Sequence, residues 1–162
     1  MLLFLTAIML YSCSDDLSDF QKKSFIKVYG SIETDIGRDL QVLNSGGYAI
    51  TGSMQLDYSS RMFLIITDEY GNQTASSPKY YGDTPSVGNS LLSLGDDGFI
   101  IAGQIIDTLA DGSSHTDIYL VRTESDGKWI WDKRLGGTGN ETSYHIAKRS
   151  SGGFVIAGKK EV

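Results

Sequence analysis

The chain has 162 residues, of which 40% are hydrophobic and 21% charged, and its formal net charge at pH 7 is −6. This acidic balance argues against a nucleic-acid partner, because binding to phosphates requires a basic surface. Glycine is abundant, with 19 residues against 2 prolines, which suits a turn-rich β protein, and a single cysteine excludes a disulfide within the chain.

The chain begins with an apolar segment that ends at its only cysteine. The run from Leu2 to Leu10 is too short to span a bilayer but has the length of a signal-peptide core. The sequence Leu10-Tyr11-Ser12-Cys13 resembles the bacterial lipobox, in which a small residue precedes a cysteine that becomes lipidated. We therefore predict that residues 1–13 are a lipoprotein signal peptide and that lipidated Cys13 attaches the protein to a membrane. The alternative is a buried N-terminal segment with an ordinary cysteine.

Residues 14–23, SDDLSDFQKK, are polar and are predicted to form a tether between the anchor and the folded domain. A multiply acylated cysteine would hold the protein firmly at the membrane. The acidic stretch Ser14-Asp15-Asp16 is similar to tracts found in surface-exposed lipoproteins of some Gram-negative bacteria. We expect an outer-membrane lipoprotein of the cell envelope with its domain exposed at the surface.

One glycine-flanked motif occurs three times in residues 24–162. Its aromatic residues stand at positions 48, 99 and 154, so the repeats are 51 and 55 residues long. Repeats of this length are typical of propellers and other repeat arrays. The motif tapers from an aromatic residue to glycine, which predicts that a neighbouring backbone approaches its end closely. The three copies are Gly46–Gly52, Asp97–Gly103 and Gly152–Gly158.

Each period holds four short segments rich in aromatic and β-branched residues, separated by turn residues. Four antiparallel strands per period make one propeller blade. We therefore predict an all-β fold of antiparallel four-stranded blades, a partial β-propeller of about two and a half blades. It comprises a closing strand near Phe25 to Tyr29, two complete periods and the first two strands of a third. Propellers need about 4 to 8 blades, which is more than this chain supplies. The alternatives are a truncated chain, one protomer of a ring and an open array. If the chain is complete, we expect it to self-associate.

The stretch from Asp117 to Gly137, with Trp131, Lys133 and Gly136, resembles the repeat of bacterial and archaeal β-propeller lipoproteins. It is also similar to the tryptophan-docking repeat of quinoprotein-type propellers, although the first repeat lacks the tryptophan. The quinoprotein dehydrogenases need a complete ring, a calcium site and cofactor contacts, whereas related lipoproteins act as envelope scaffolds without the cofactor. This resemblance implies non-catalytic binding or scaffolding of protein or glycan partners, and no catalytic residue or cofactor is assigned. The alternative is a fragment of a propeller enzyme, quinoprotein-like or polysaccharide-active, with its active site in missing blades.

The loop around His115 is rich in oxygen ligands. Asp107, Asp111 and Asp117 could together bind calcium. A solvated hairpin loop explains the same residues, because Asp, Gly and Ser favour turns. We prefer the loop and assign no metal ligand.

The second histidine, His145, aligns with Asp39 and Ser90 of the earlier repeats, and positions that are polar in every repeat are expected on a solvated strand face. Two histidines give neither a Ser-His-Asp triad nor zinc-spaced ligands. Trp129 and Trp131 are expected on opposite faces of one strand, one packed between repeats and the other more exposed. The exposed tryptophan could stack on a sugar or on a partner's side chain.

Overall fold

A computed structural model describes residues 24–109 and 111–161. Within these ranges the chain forms ten β-strands and one short 3-10 turn at Gly95–Asp97. The predicted all-β class is confirmed. None of the described residues forms a helix long and apolar enough to cross a membrane. The predicted signal peptide, its lipidation site Cys13 and the tether lie outside the described residues.

The strands form three antiparallel sheets in which neighbours along the chain are neighbours in space. This is the pattern that a four-strand period predicts, with four, four and two strands. The first sheet contains β1 (Asp35–Val42), β2 (Tyr48–Leu56), β3 (Ser59–Ile66) and β4 (Lys79–Tyr81). The second contains β5 (Ser86–Ser93), β6 (Phe99–Thr108), β7 (Ser114–Thr123) and β8 (Trp129–Leu135). The third contains β9 (Asn140–Lys148) and β10 (Phe154–Glu161).

The predicted closing strand from Phe25 to Tyr29 is wrong. This segment pairs with no strand of the described residues, and without a neighbouring ladder a segment cannot be a strand. It lies instead against the outer face of the first sheet. The Tyr29 hydroxyl donates to the carbonyl oxygen of Gly71 at 2.8 Å, and the ring of Phe25 meets that of Tyr48 edge-on at a centroid distance of 5.9 Å.

The sheets stack face to face through their apolar side chains. The core between the first and second sheets consists of Ala49, Met62, Leu64, Ile66 and Tyr81 packed against Leu91, Phe99, Ile101, Ile105, Tyr119 and Val121. A second core, between the second and third sheets, joins Ile100, Ala102 and Leu120 to Ile146, with Trp131 and Ile156 at its margin. A third, smaller cluster of Met54, Phe63 and Ile65 lies on the other face of the first sheet, where Tyr29 and Ile50 pack against it. Burial of these side chains from water supplies the main driving force for the stack.

The last glycine of the repeated motif lies opposite a bulge in the first strand of each sheet. The register shifts between Gly37 and Asp39 in β1, and it shifts at equivalent points in the other two sheets. A Cβ atom added to Gly52, Gly103 or Gly158 would lie 1.9, 1.8 or 2.2 Å from a backbone carbonyl oxygen of the bulged strand. The predicted close approach of a neighbouring backbone is therefore confirmed, and the glycine is required by this contact.

We expect Gly103→Ala to lower the free energy of unfolding by about 3 kcal/mol, the upper end of the usual cost of overpacking. Its new methyl group would overlap the carbonyl oxygen of Val87. Gly137→Ala is the matched control, because nothing lies within 4 Å of a Cβ atom at that position, and it should change stability by less than about 0.5 kcal/mol. Urea unfolding followed by circular dichroism measures both. Equal effects of the two substitutions would contradict the role given to the backbone contact.

Candidate functional site

Three polar side chains stand at equivalent places on the first strand of each sheet. Asp39 lies on β1, Ser90 on β5 and His145 on β9, each next to its bulge. These three strands are edge strands of their sheets, since each pairs on one side only. The other side of each strand therefore carries backbone groups that need partners from elsewhere.

Hydrogen bonds from these side chains link each sheet to the next. Asp39 Oδ2 accepts from the backbone N–H of Leu91 at 2.7 Å and from the hydroxyl of Ser90 at 3.2 Å. Ser90 Oγ in turn accepts from the backbone N–H of Ile146 at 3.3 Å and lies 3.3 Å from His145 Nδ1. The side chain of one repeat thus satisfies a backbone donor one residue further along in the following repeat.

The expectation of a solvated face is wrong for Ser90, which is buried, whereas His145 is exposed. A serine, a histidine and an aspartate do come together here, because Ser90 lies within hydrogen-bonding distance of both Asp39 and His145. Their order differs from that of a catalytic triad, in which the carboxylate orients the histidine. Here Asp39 contacts the serine, so the carboxylate does not orient the imidazole. The contacts instead connect neighbouring sheets.

Asp39→Ala should reduce the free energy of unfolding by about 1 to 3 kcal/mol, because it leaves the Leu91 N–H without its charged acceptor. Ser90→Ala should cost a similar amount, and the double variant should cost less than the sum of the two. Arg38→Ala is the control, since this side chain is exposed at the same bulge. Chemical unfolding of the unaltered protein, the two single variants and the double variant gives the coupling energy. Strict additivity would show that the two side chains do not act through one network.

A second polar cluster brings together three residues of the β6–β7 hairpin. One ligand atom each from Asp107, His115 and Asp117 lies within 4.8 Å of the others. Asp107 is paired directly with His115 across the two strands, and Asp117 follows two residues later. The predicted solvated loop is therefore shorter than expected, because these three residues belong to strands. Asp111 does stay in the loop, where it accepts hydrogen bonds from Ser113.

Charged residues from outside the hairpin surround this cluster. Arg134 on β8 forms ion pairs with Asp107 and with Asp83. Glu141, at the start of β9, is buried, and Lys160 Nζ lies 2.8 Å from its Oε1. Sequence reasoning missed Glu141, because it belongs to a different repeat and no spacing relates it to the hairpin.

Burial raises the pKa of Asp117, and the charges of Asp107 and Glu141 raise it further against the opposing effect of His115. The contact with Lys160 lowers the pKa of Glu141. The negative charges of the two carboxyl groups are therefore not stabilised equally. Glu141 has a cationic partner, whereas Asp117 is held in a buried place where its charge is costly.

A groove of about 540 Å³ lies between β4 and β8. Trp129 at its rim is 55% exposed, and its indole N–H donates to Asp132 Oδ1 at 2.8 Å. Trp131 packs at the margin of the second core, so the predicted opposite placement of the two tryptophans is confirmed. Residues two apart normally share a strand face, and the register shift opposite Arg122 and Thr123 separates them here. The groove is lined by Lys79, Tyr80, Tyr81, Gly82, Asp83, Tyr119, Gly127, Lys128, Trp129, Asp132 and Arg134.

Comparison with known proteins adds no assignment to these sites. No protein-family model matches the chain, and no curated protein matches its sequence significantly. The resemblance to propeller lipoproteins stays a prediction.

Proposed function

We propose that this chain is a β-propeller-type repeat protein, carried at the bacterial cell envelope on lipidated Cys13, that binds partners through the outer faces of its end sheets. Its role is scaffolding and not catalysis. The single observation that supports this proposal is unequal burial: positions that are equivalent in the repeats are buried inside the stack and exposed at its two ends.

The third sheet leaves an apolar position uncovered. Ala49 of the first sheet and Ile100 of the second face the following sheet, and both are 0% exposed. Val155 occupies the equivalent position in the third sheet and is 54% exposed. A further sheet packed on this face would bury it, as sheets normally pack about 10 Å apart through such side chains.

The first sheet also leaves an apolar position uncovered, on its opposite face. Leu91 and Ile146 pack against the preceding sheet and are each 2% exposed, whereas the equivalent Leu40 is 49% exposed. Leu40 lies with Phe25, Tyr48 and Ile50 along an apolar groove of about 580 Å³ on this face. The two ends therefore present the two halves of one kind of sheet-to-sheet contact.

The N-terminal segment supports the same interpretation. Tyr81 at the end of β4 donates its hydroxyl to the carbonyl oxygen of Gly127 in the following sheet at 2.6 Å. Tyr29 makes the equivalent bond to Gly71 of the first sheet. Tyr29 therefore occupies the position that a tyrosine on the last strand of a preceding sheet would have. We infer that further repeats cover the ends, supplied by a longer chain or by a second copy of this one.

Such a contact is heterologous, because the front of one stack meets the back of the next. We expect the protein to self-associate with rising concentration, and we expect Val155→Glu or Leu40→Glu to weaken association tenfold or more, equivalent to about 1.4 kcal/mol. An equimolar mixture of the two variants should form a dimer, since each retains the face that the other lacks. Sedimentation velocity of each variant and of the mixture measures this.

Tyr58→Glu is the matched control, because Tyr58 is fully exposed on the β2–β3 turn, away from both end faces. It should associate like the unaltered protein. A mixture that remains monomeric while the unaltered protein associates would exclude a front-to-back contact. A protein that stays monomeric at all concentrations would exclude a second copy as the covering partner.

The anchor is tested separately from the end faces. Cys13→Ser should abolish incorporation of labelled palmitate in a bacterial host and move the protein out of the detergent phase, because lipidation needs the thiol. Ser12→Ala keeps a small residue before the cysteine and should retain the label. Persistence of label in Cys13→Ser would refute the anchor. The alternative of an enzyme with its active site in further repeats stays a prediction.

A further inference from the structure

We propose that Asp107, His115, Asp117 and Glu141 form a binding site for one divalent transition-metal ion, at the rim where the second sheet meets the third. The proposal is independent of the end faces and of the lipid anchor. It starts from the proximity of the three hairpin residues, whose ligand atoms lie within 4.8 Å of one another.

Buried polar atoms without partners are the second and independent observation. Glu141 is 6% exposed, and its Oε2 has no hydrogen-bond partner. Asp117 is 9% exposed, and its Oδ1 receives no hydrogen bond although His115 Nε2 lies 3.3 Å away. His115 Nδ1 is likewise buried without a partner. Such groups are rare in native proteins, because each loses its hydration without compensation.

The two buried carboxylates converge beneath Gly136. A Cβ atom on Gly136 would lie 2.0 Å from Asp117 Oδ1 and 2.9 Å from Glu141 Oε2. Glu141 Oε2 therefore lies close to Asp117 Oδ1, one of the hairpin residues, even though Glu141 belongs to the third sheet. The absence of a side chain at Gly136 leaves room for these oxygens to approach one another.

The charge balance of the cluster favours a cation. Of its three carboxylates, Asp107 is paired with Arg134 and Glu141 with Lys160, whereas Asp117 has no basic partner besides His115 among the described residues. With His115 neutral, as a metal ligand must be, the negative charge of Asp117 remains without a partner. Buried charge of this kind is costly unless it is paired or bound to a metal.

The donor set indicates the class of metal. Carboxylates alone would suit calcium or magnesium, whereas an imidazole nitrogen suits Zn²⁺ and its neighbours in the transition series. One histidine with three carboxylates therefore favours Zn²⁺ or Mn²⁺ over Ca²⁺. By the usual order of affinities, Zn²⁺ should bind more tightly than Mn²⁺. The competing interpretation is a metal-free ion pair between protonated His115 and Asp117.

Isothermal titration calorimetry tests the proposal. The full chain is freed of metal with a chelator and then titrated with Zn²⁺, Mn²⁺ and Ca²⁺. We expect one Zn²⁺ per chain and a rise in Tm on its addition. His115→Gln, Asp117→Asn and Glu141→Gln should each weaken Zn²⁺ binding tenfold or more, a loss that even outer ligand partners produce. Co²⁺ bound in place of Zn²⁺ should give a visible spectrum that changes in His115→Gln.

Two matched variants serve as controls. His145→Gln removes the other histidine of the chain, and Asp111→Asn alters the neighbouring loop aspartate. Both should leave Zn²⁺ affinity within about twofold, since neither residue belongs to the cluster. Asp117→Asn replaces a buried charge that lacks a hydrogen bond by a neutral amide of the same shape, so it should keep the metal-free protein folded. Loss of binding in this variant is then not due to unfolding, and its urea unfolding curve checks this.

Three results would overturn the proposal. The first is an unaltered protein that binds no stoichiometric Zn²⁺, which would leave the ion pair as the explanation of the cluster. The second is Zn²⁺ binding that survives both His115→Gln and Asp117→Asn, which would place the ion elsewhere. The third is tighter binding of Ca²⁺ than of Zn²⁺, which would exclude the proposed metal class.

Discussion

One backbone contact recurs in all three sheets and governs how they stack. The final glycine of the repeated motif allows the bulged first strand to approach its partner, with a carbonyl oxygen where a Cβ atom would otherwise stand. The bulge bends that strand and increases its twist. The residue beside the bulge then lies at the edge of the sheet, where Asp39 and Ser90 can reach the backbone of the next repeat. A local requirement for glycine thus sets a contact between sheets.

Stacking by equivalent contacts has a direct consequence for the two ends. Each sheet has one face for the preceding repeat and another for the following repeat, and the same motif positions serve both purposes. Val155 and Leu40 are therefore apolar for the same packing reason as their buried equivalents. Isolated exposed apolar residues need no explanation. These two differ because the structure itself contains the partner surface that each would fit.

The four, four and two strands of the three sheets, their order and the need for the motif glycine could all be predicted from the sequence, because periodicity and turn residues report local geometry. The segment from Phe25 to Tyr29 was misassigned, since strand formation depends on a neighbour that its own residues do not specify. The Asp39–Ser90–His145 contacts were missed for a similar reason. Aligned positions in the repeats become spatial neighbours only when the sheets stack. When each position is considered alone, its polar side chain is expected to face solvent. Trp129 and Trp131 lie on opposite faces because a bulge falls between them. In a regular strand, residues two apart would share one face.

The proposed metal site combines residues that no single repeat contains. Asp107, His115 and Asp117 come from the second sheet, whereas Glu141 comes from the third and pairs across its own hairpin with Lys160. An ion held by both groups would resist separation of the two sheets, because ligand binding to the folded state alone adds to its stability. The third sheet has only two strands within the described residues and one uncovered face. A bound ion would therefore hold in place the sheet that presents Val155. Metal binding at the rim would in this way stabilise the proposed binding surface at the end of the stack.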